Sequence, residues 1–321
     1  MIVPSPDPNA PRSVADLLTE SPPGPSLVPD PPLLDQWKMT VQACADQYAA
    51  ELCDAGRPAS DRLDRCYYDA AWIYHNLAVT FPDHATAYWA ARDAAIAVYR
   101  DGYVMAQPIP GQVAAWIIFP HGLYVHYEDT KDDKSKTALL ALADHAAFAS
   151  VGEIVNYLTE EFYSREAAYN LMAKLYARDL GGSPVGIEEL LKTCLGHLSQ
   201  WQQQFDGSNI VYTVDTDCRP FMVGLTAHAL IEYDRRTPTP AIRQAIASLL
   251  EYLWNILYDF VTQSMAYSNR VIPGVGDLSP SPDLNMLIAP SYAWLGQRDR
   301  ADALFGGSVK GANFAGHKQF N

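Results

Sequence analysis

From residue 33 onward, apolar side chains recur at steps of three and four, and strict apolar–polar alternation is scarce. The runs WKMTVQACADQYAAELCD, CYYDAAWIYHNLAVTF and AYWAARDAAIAVYRDGYV all follow this spacing. The cleanest case is AIRQAIASLLEYLWNILYDF, where Ile242, Ile246, Leu249, Leu253, Leu257 and Phe260 form one stripe. Arg243, Gln244, Ser248, Glu251, Asn255 and Asp259 are dispersed around the remainder of that helix. Its start is marked by Thr239 as N-cap and Pro240 at the first helical position. Ser281 and Pro282 repeat the device, and Gly181 with Gly182 stops the helix REAAYNLMAKLYARDL. The pattern predicts about ten or eleven helices and an all-α chain.

These helices are of two kinds. FMVGLTAHALIEY, TALLALADHAAFA and NMLIAPSYAWLG carry wide, small-residue-rich apolar surfaces, which predicts burial on all sides. Others, such as 241–260, carry one stripe and predict an outer layer. Inner and outer helices in alternation suggest paired hairpins around a closed ring. The rival, a short-period solenoid, would show self-similarity at 34 to 40 residues, and none is visible.

The hairpin RPFMVGLTAHALIEYDRR followed by AIRQAIASLLEYLWNILYD resembles those of the (α/α) toroid, or six-hairpin glycosidase-like, superfamily. FPHGLYVHYEDTKDDKSKTALLALADHAAF and SREAAYNLMAKLYARDLGG are similar to the same pattern, and the likeness spans residues 35 to 305. It is a likeness of texture, without a motif that assigns one family of glycosidase, epimerase or lyase. The resemblance implies an (α/α) toroid whose substrate funnel opens where the inner helices begin. The lead-in segments are then RCYYDAAW, FPHGLYVHY, YSREAAYN, TVDTDCRPF and SNRVIPGVGDLSPSPDLN. It also implies a carbohydrate partner, stacked on rings such as Tyr67, Tyr68, Tyr124, Tyr163, Tyr267, Trp72 and Trp116, with no cofactor and no metal.

Charge narrows the partners. With 37 acidic against 23 basic residues the net charge is −14, and no Lys/Arg cluster offsets it, so nucleic acid is excluded as a partner. No apolar run reaches the roughly 20 residues of a membrane span. The start, MIVPSPDPNA, lacks the basic and apolar regions of a signal peptide, so a soluble chain is expected, in a compartment the sequence does not fix. The five cysteines form no CxxC pair, and their odd number argues against a zinc cluster or a full disulfide framework. Buried free thiols are expected.

Ten of the 23 prolines fall in residues 1–32, which reads as an extended arm with no helix of its own. Residues 33–305 form the helical domain and residues 306–321 an irregular tail. Val14, Leu17, Leu18, Leu27 and Val28 would anchor the arm on its own body or on another protein chain.

Three chemistries remain open. A glycoside hydrolase needs two carboxyl groups, one protonated and one ionised, flanking the scissile bond. Asp215 and Asp217 crowd together before Pro220, with Asp69 and Asp277 as the other carboxylates on lead-in segments. Arg219, His121, Tyr124, Tyr68, Trp72, Arg165 and Tyr267 would bind the sugar. The structural alternative has Asp217 capping the next helix while Arg219 pairs with Asp215. A polysaccharide lyase would draw instead on His121, Tyr124, His126 and Arg219, with Asn269 and Arg270 nearby. A non-catalytic toroid, serving as an assembly subunit that grips neighbours through its arm, is the third reading. HExxH, GxSxG, P-loop and GxGxxG motifs do not occur.

Overall fold

The structure, a computed structural model, describes residues 31–205, 217–270 and 278–311. Among the described residues there are thirteen α-helices and a single two-stranded ladder, so the all-α expectation holds. None of these helices is long and apolar enough to cross a membrane. The described chain divides into two compact units, one built on residues 34–194 and one on residues 195–311 together with residues 31–33.

The N-terminal unit begins with α1 (Pro31–Cys53) and the short α2 (Ala59–Asp64). Next come α3 (Ala70–Thr80) and α4 (Ala85–Ile96), and α4 runs on as a π-helix over Ala97–Val104. Then follow α5 (Pro120–Thr130), α6 (Asp133–His145), α7 (Val151–Tyr157) and α8 (Ser164–Asp179). Consecutive helices pair: α3 packs on α4, and α5 on α6. The first members of these pairs also touch one another, with α3 against α5 and α5 against α8. The ninth helix, α9 (Ile187–Phe205), contains the division between the units.

Burial sorts the helices differently from apolar content alone. In α8 every residue from Ser164 to Ala177 except Arg165 is buried. The polar members are accommodated by backbone carbonyls: Lys174 Nζ donates to Ala143 O at 3.1 Å and Asn170 Nδ2 to Ala147 O at 3.1 Å. By contrast α6, expected to be buried all round, buries Ser135, Ala138, Leu139, Leu142 and Ala143. That is one face, because Lys134, Lys136 and Asp144 hold the rest toward water. Gly181 (φ 88) ends α8 as expected, its amide donating to Arg178 O at 3.0 Å.

The C-terminal unit holds α10 (Pro220–Arg236) and α11 (Pro240–Leu257). The hairpin Tyr258–Asp259/Ser264–Met265 leads on to α12 (Asn285–Trp294) and α13 (Arg298–Gly311). Helix α10 packs on α11 and α12, and α12 on α13. Contact between α10 and α12 depends on Gly224, where a Cβ would lie 2.3 Å from Leu287 O. The stripe of α11 is buried from Ile242 to Leu257, but Phe260 is 57% exposed because the helix has ended at Leu257. Thr239 and Pro240 begin α11, yet the threonine hydroxyl donates back to Thr237 O at 2.8 Å and does not cap.

Two further expectations change. A helix-free tail from residue 306 is not what the structure shows, because α13 continues to Gly311. Gly307 permits this: a Cβ there would lie 2.0 Å from Gln263 O, so only glycine lets the last turns sit against that loop. Asn285 ties the same region, donating to Gln263 O (3.0 Å) and Leu304 O (2.9 Å) while accepting from the Met265 amide (3.0 Å). The cysteines are free, with Cys66, Cys194 and Cys218 buried but Cys44 half-buried and Cys53 exposed. Of the arm expected over residues 1–32, residues 1–30 lie outside the described residues, and Pro31 and Pro32, expected to be extended, instead open α1.

Inside the C-terminal unit Arg300 forms a two-pronged ion pair with Glu251, Nη1–Oε2 at 2.7 Å and Nη2–Oε1 at 3.3 Å. The guanidinium lies 4.9 Å from the Trp254 ring centroid, and the two side chains are only 6% and 9% exposed. Charges this far from water are tolerated because each is answered by the other.

Candidate functional site

Six of the residues singled out in the sequence fall together in the N-terminal unit: Tyr68, Asp69, Trp72, His121, Tyr124 and Arg165. Their meeting point is the turn before α3. Tyr68 (φ 59) and Asp69 (φ 67) both adopt the left-handed conformation, in succession. Aspartate tolerates this region, whereas tyrosine is held there only by its surroundings, at a cost on the order of 1–3 kcal/mol.

Several bonds fix the turn. The Asp69 amide donates to Cys66 O at 3.0 Å. Its carboxylate caps α3, Oδ1 accepting from the Trp72 amide at 3.3 Å. The other oxygen, Oδ2, accepts from the Gly122 amide of α5 at 2.9 Å. A Cβ on Gly122 would come within 2.4 Å of Asp69 Oδ1 and 2.5 Å of Ala71 Cβ, so α5 approaches α3 only because that position is bare. Gly122→Ala is therefore expected to destabilise the protein by about 1–3 kcal/mol through overpacking. Urea denaturation measures it, and an unchanged midpoint would contradict the contact.

Aromatic rings surround the turn. Tyr67 meets Tyr68 edge-on at 4.5 Å, Phe119 edge-on at 5.7 Å and Trp116 at 5.8 Å, and Trp116 is 46% exposed. Trp72 stacks on His121 at 5.0 Å. His121 Nε2 shares a hydrogen bond with the Tyr176 hydroxyl, and Tyr124 stacks on Tyr176 at 4.7 Å. At the start of α8, Arg165 pairs with Glu166 at 2.7 Å and reaches the Tyr67 hydroxyl at 3.4 Å. One turn further on, Tyr169 is buried, edge-on to Phe119 at 6.1 Å, and its hydroxyl has no hydrogen-bond partner.

Three groups have shifted acidities. Burial pushes the Asp69 carboxyl up to about 6, against the pull of the amides of Gly122, Trp72 and His121. Burial also drives the Tyr169 phenol well above its ordinary value, with Tyr68 and Tyr67 adding to it. At Arg165 burial disfavours the charge, but Glu166 overcomes it and the pKa stands above the ordinary value. The cluster thus offers a carboxyl that keeps its proton up to about pH 6, a fixed cation, an unpaired phenol and an exposed ring.

Of the other carboxylate and sugar-binding candidates, Asp217, Arg219 and Tyr267 lie in the C-terminal unit, and two lie outside the described residues. Asp215 and Asp277 belong to the latter group. Asp217 does not cap α10, whose N-cap is Arg219 without a side-chain cap. Instead Asp217 accepts from Arg219 Nε at 2.6 Å and from Ser268 Oγ at 3.5 Å, which makes it the arginine's counter-ion. Tyr267 lies under that guanidinium at 5.8 Å and against Phe221 at 5.4 Å. Of the lyase set, His126 turns to Ser135 (Nδ1–Oγ 2.9 Å), and Asn269 holds the Cys218 backbone in both directions.

The sequence did not single out Gly122, Glu166, Tyr169 or Tyr176. A signal existed for one of them, Tyr169, which shares a face with the candidate Arg165 at spacing four in YSREAAYN. Comparison with protein families, with curated proteins and with solved structures gives no match.

Proposed function

We propose that the protein is a glycoside hydrolase acting on a poly- or oligosaccharide, built as an (α/α) toroid. The observation that carries this reading is Asp69, a carboxyl raised to about 6 on a strained turn ringed by Tyr67, Tyr68, Trp72 and Trp116. A general acid must hold its proton at the pH where it works and release it to the leaving oxygen, and Asp69 has that acidity. Glu166 is the second carboxylate in the same cluster and serves as base or nucleophile, with Arg165 positioning it. Trp116, 46% exposed, supplies a stacking face for a sugar ring. The paired helices of each unit, with α3, α5 and α8 in mutual sequence, support the toroid.

A second reading is kept by one contact. The Tyr176 phenol bonded to His121 is the kind of pair with which a polysaccharide lyase removes a proton beside a uronate. The two part in one experiment: incubate the purified protein with a panel of neutral and uronate-containing glycans. New reducing ends without ultraviolet absorbance support the hydrolase, and absorbance of unsaturated products supports the lyase. Failure to cleave any glycan would count against both.

A further inference from the structure

We infer that a strip of aromatic rings beside the start of α8 binds an uncharged polysaccharide chain, and that such a chain is the substrate class of the proposed site. The inference rests on the glycoside hydrolase reading and narrows it. The strip runs through four rings in the N-terminal unit. Tyr157, the last residue of α7, lies 6.1 Å from Phe148, which lies 6.0 Å from Tyr163. Tyr163 in turn meets Phe162 edge-on at 5.2 Å. Both ends stand in water, with Tyr157 58% and Phe162 62% exposed. Large rings exposed at both ends of one connected row mark a contact surface, unlike apolar residues scattered singly.

The middle of the strip is held at a cost. Phe148 sits at φ 64, a left-handed conformation that a bulky residue adopts only where its surroundings impose it. Among the described residues Tyr68 and Phe148 are the two aromatic residues in that conformation, one in the candidate site and one in the strip. Such strain gathers where function needs a side chain in a set place. Two bonds of the neighbouring residue tie Phe148 to that site. The Ala147 amide donates to Val113 O at 3.0 Å, on the segment that leads to Trp116 and Phe119. The Ala147 carbonyl accepts from Asn170 Nδ2 at 3.1 Å, on the helix that carries Glu166 and Tyr169. Tyr163 itself directly precedes Ser164 and Arg165 of α8. A long chain seated at the Asp69 and Glu166 carboxylates thus has a row of rings to continue over.

The chemistry of the row selects the ligand. A sugar ring has an apolar C–H face and a rim of hydroxyls, so it covers an aromatic ring while its hydroxyls stay hydrated. A polymer of such units matches a row of rings. Charge then selects among polymers. Residues 146–164 contain Glu153, Glu160 and Glu161 and no Lys, Arg or His. Glu153 is fixed by the capping box that opens α7. Arg165, the next cation along the chain, is already paired with Glu166 at 2.7 Å. A polyuronate would bring its carboxylates against these glutamates, a like-charge encounter that a neutral glycan avoids.

The test is native electrophoresis of the whole protein through gels holding one soluble polymer each. Soluble starch, hydroxyethylcellulose, galactomannan and arabinoxylan are the neutral probes, and polygalacturonate and alginate the charged ones. Retardation by at least one neutral polymer is expected, and by neither polyuronate. Replacing both exposed rings, Tyr157→Ala with Phe162→Ala, should weaken that binding roughly tenfold to a hundredfold, as for the loss of two aromatic anchors. Its urea midpoint should stay unchanged, and on a cleaved polymer KM should rise with kcat kept. The comparison of neutral with charged polymers needs only the wild-type protein. Retardation by no neutral polymer, equal retardation by a polyuronate, or binding unchanged in the double variant would overturn the inference. So would a wild-type dimer that the double variant turns into a monomer on sedimentation, since a second copy of the chain would then cover the rings. Retardation is read on uncut polymer, so a protein that binds through these rings and cleaves nothing would sink the hydrolase reading alone.

Discussion

Asp69→Asn is expected to lower kcat on a responsive glycan by roughly 10²–10⁴, the range typical of losing a general acid. Asparagine tolerates the left-handed backbone of position 69 and can still accept from the Trp72 amide, but its Nδ2 cannot accept from the Gly122 amide as Oδ2 does, so a constant loss of stability accompanies the loss of the transferable proton. The wild-type protein should work below the Asp69 pKa of about 6 and lose activity as pH rises through it. Wild-type cleavage that stays flat from pH 5 to 8 would remove Asp69 from the role of acid. Stability gives a second, activity-free reading of the same group. Because the folded pKa of about 6 lies above the ordinary 3.8, the folded state binds the proton more tightly. The stabilisation is fully present below pH 4 and is lost as pH rises to about 6, on the order of 3 kcal/mol in all. The difference in unfolding free energy between variant and wild type should change by that amount between pH 4 and 7, and a constant difference would contradict the shift.

Arg300→Met should cost about 3–5 kcal/mol, because it strands the buried Glu251 carboxylate without its guanidinium. Replacing both partners with methionine is expected to recover most of that loss, since neither charge then needs an answer. Urea denaturation of the two variants checks this. A single substitution costing under about 1 kcal/mol would show that the pair behaves like a surface contact.

What could be read from the chain, and what could not, follows from how each feature is encoded. The helices were legible because α11 writes its stripe in apolar residues at three-and-four spacing, and because Pro120, Pro220 and Pro240 stand at helix starts. The most enclosed helix was not legible as such: Arg165, Glu166, Asn170, Lys174 and Arg178 make α8 look half-polar. Its burial depends on carbonyls of residues 143 and 147, supplied from another part of the chain. The site was legible in outline, since Tyr68, Asp69, Trp72, His121, Tyr124 and Arg165 were picked from three separate lead-in segments. Gly122 was invisible, because its importance lies in an atom it lacks. Asp217 was seen, but as a cap or a catalytic carboxyl and not as the ion-pair partner it is: it accepts from Arg219 Nε at 2.6 Å, while Asp215, the partner expected for that arginine, lies outside the described residues.

Helix α8 has a consequence for how the proposed site meets its ligand. A rod sheathed on every side cannot peel away one turn at a time, so its opening requires the cooperative loss of the neighbours that sheathe it. Arg165, Glu166 and Tyr169 project from the first turns of that rod. They are already immobilised before any ligand arrives, so binding has little side-chain entropy left to remove and selects by fit more than by adaptation.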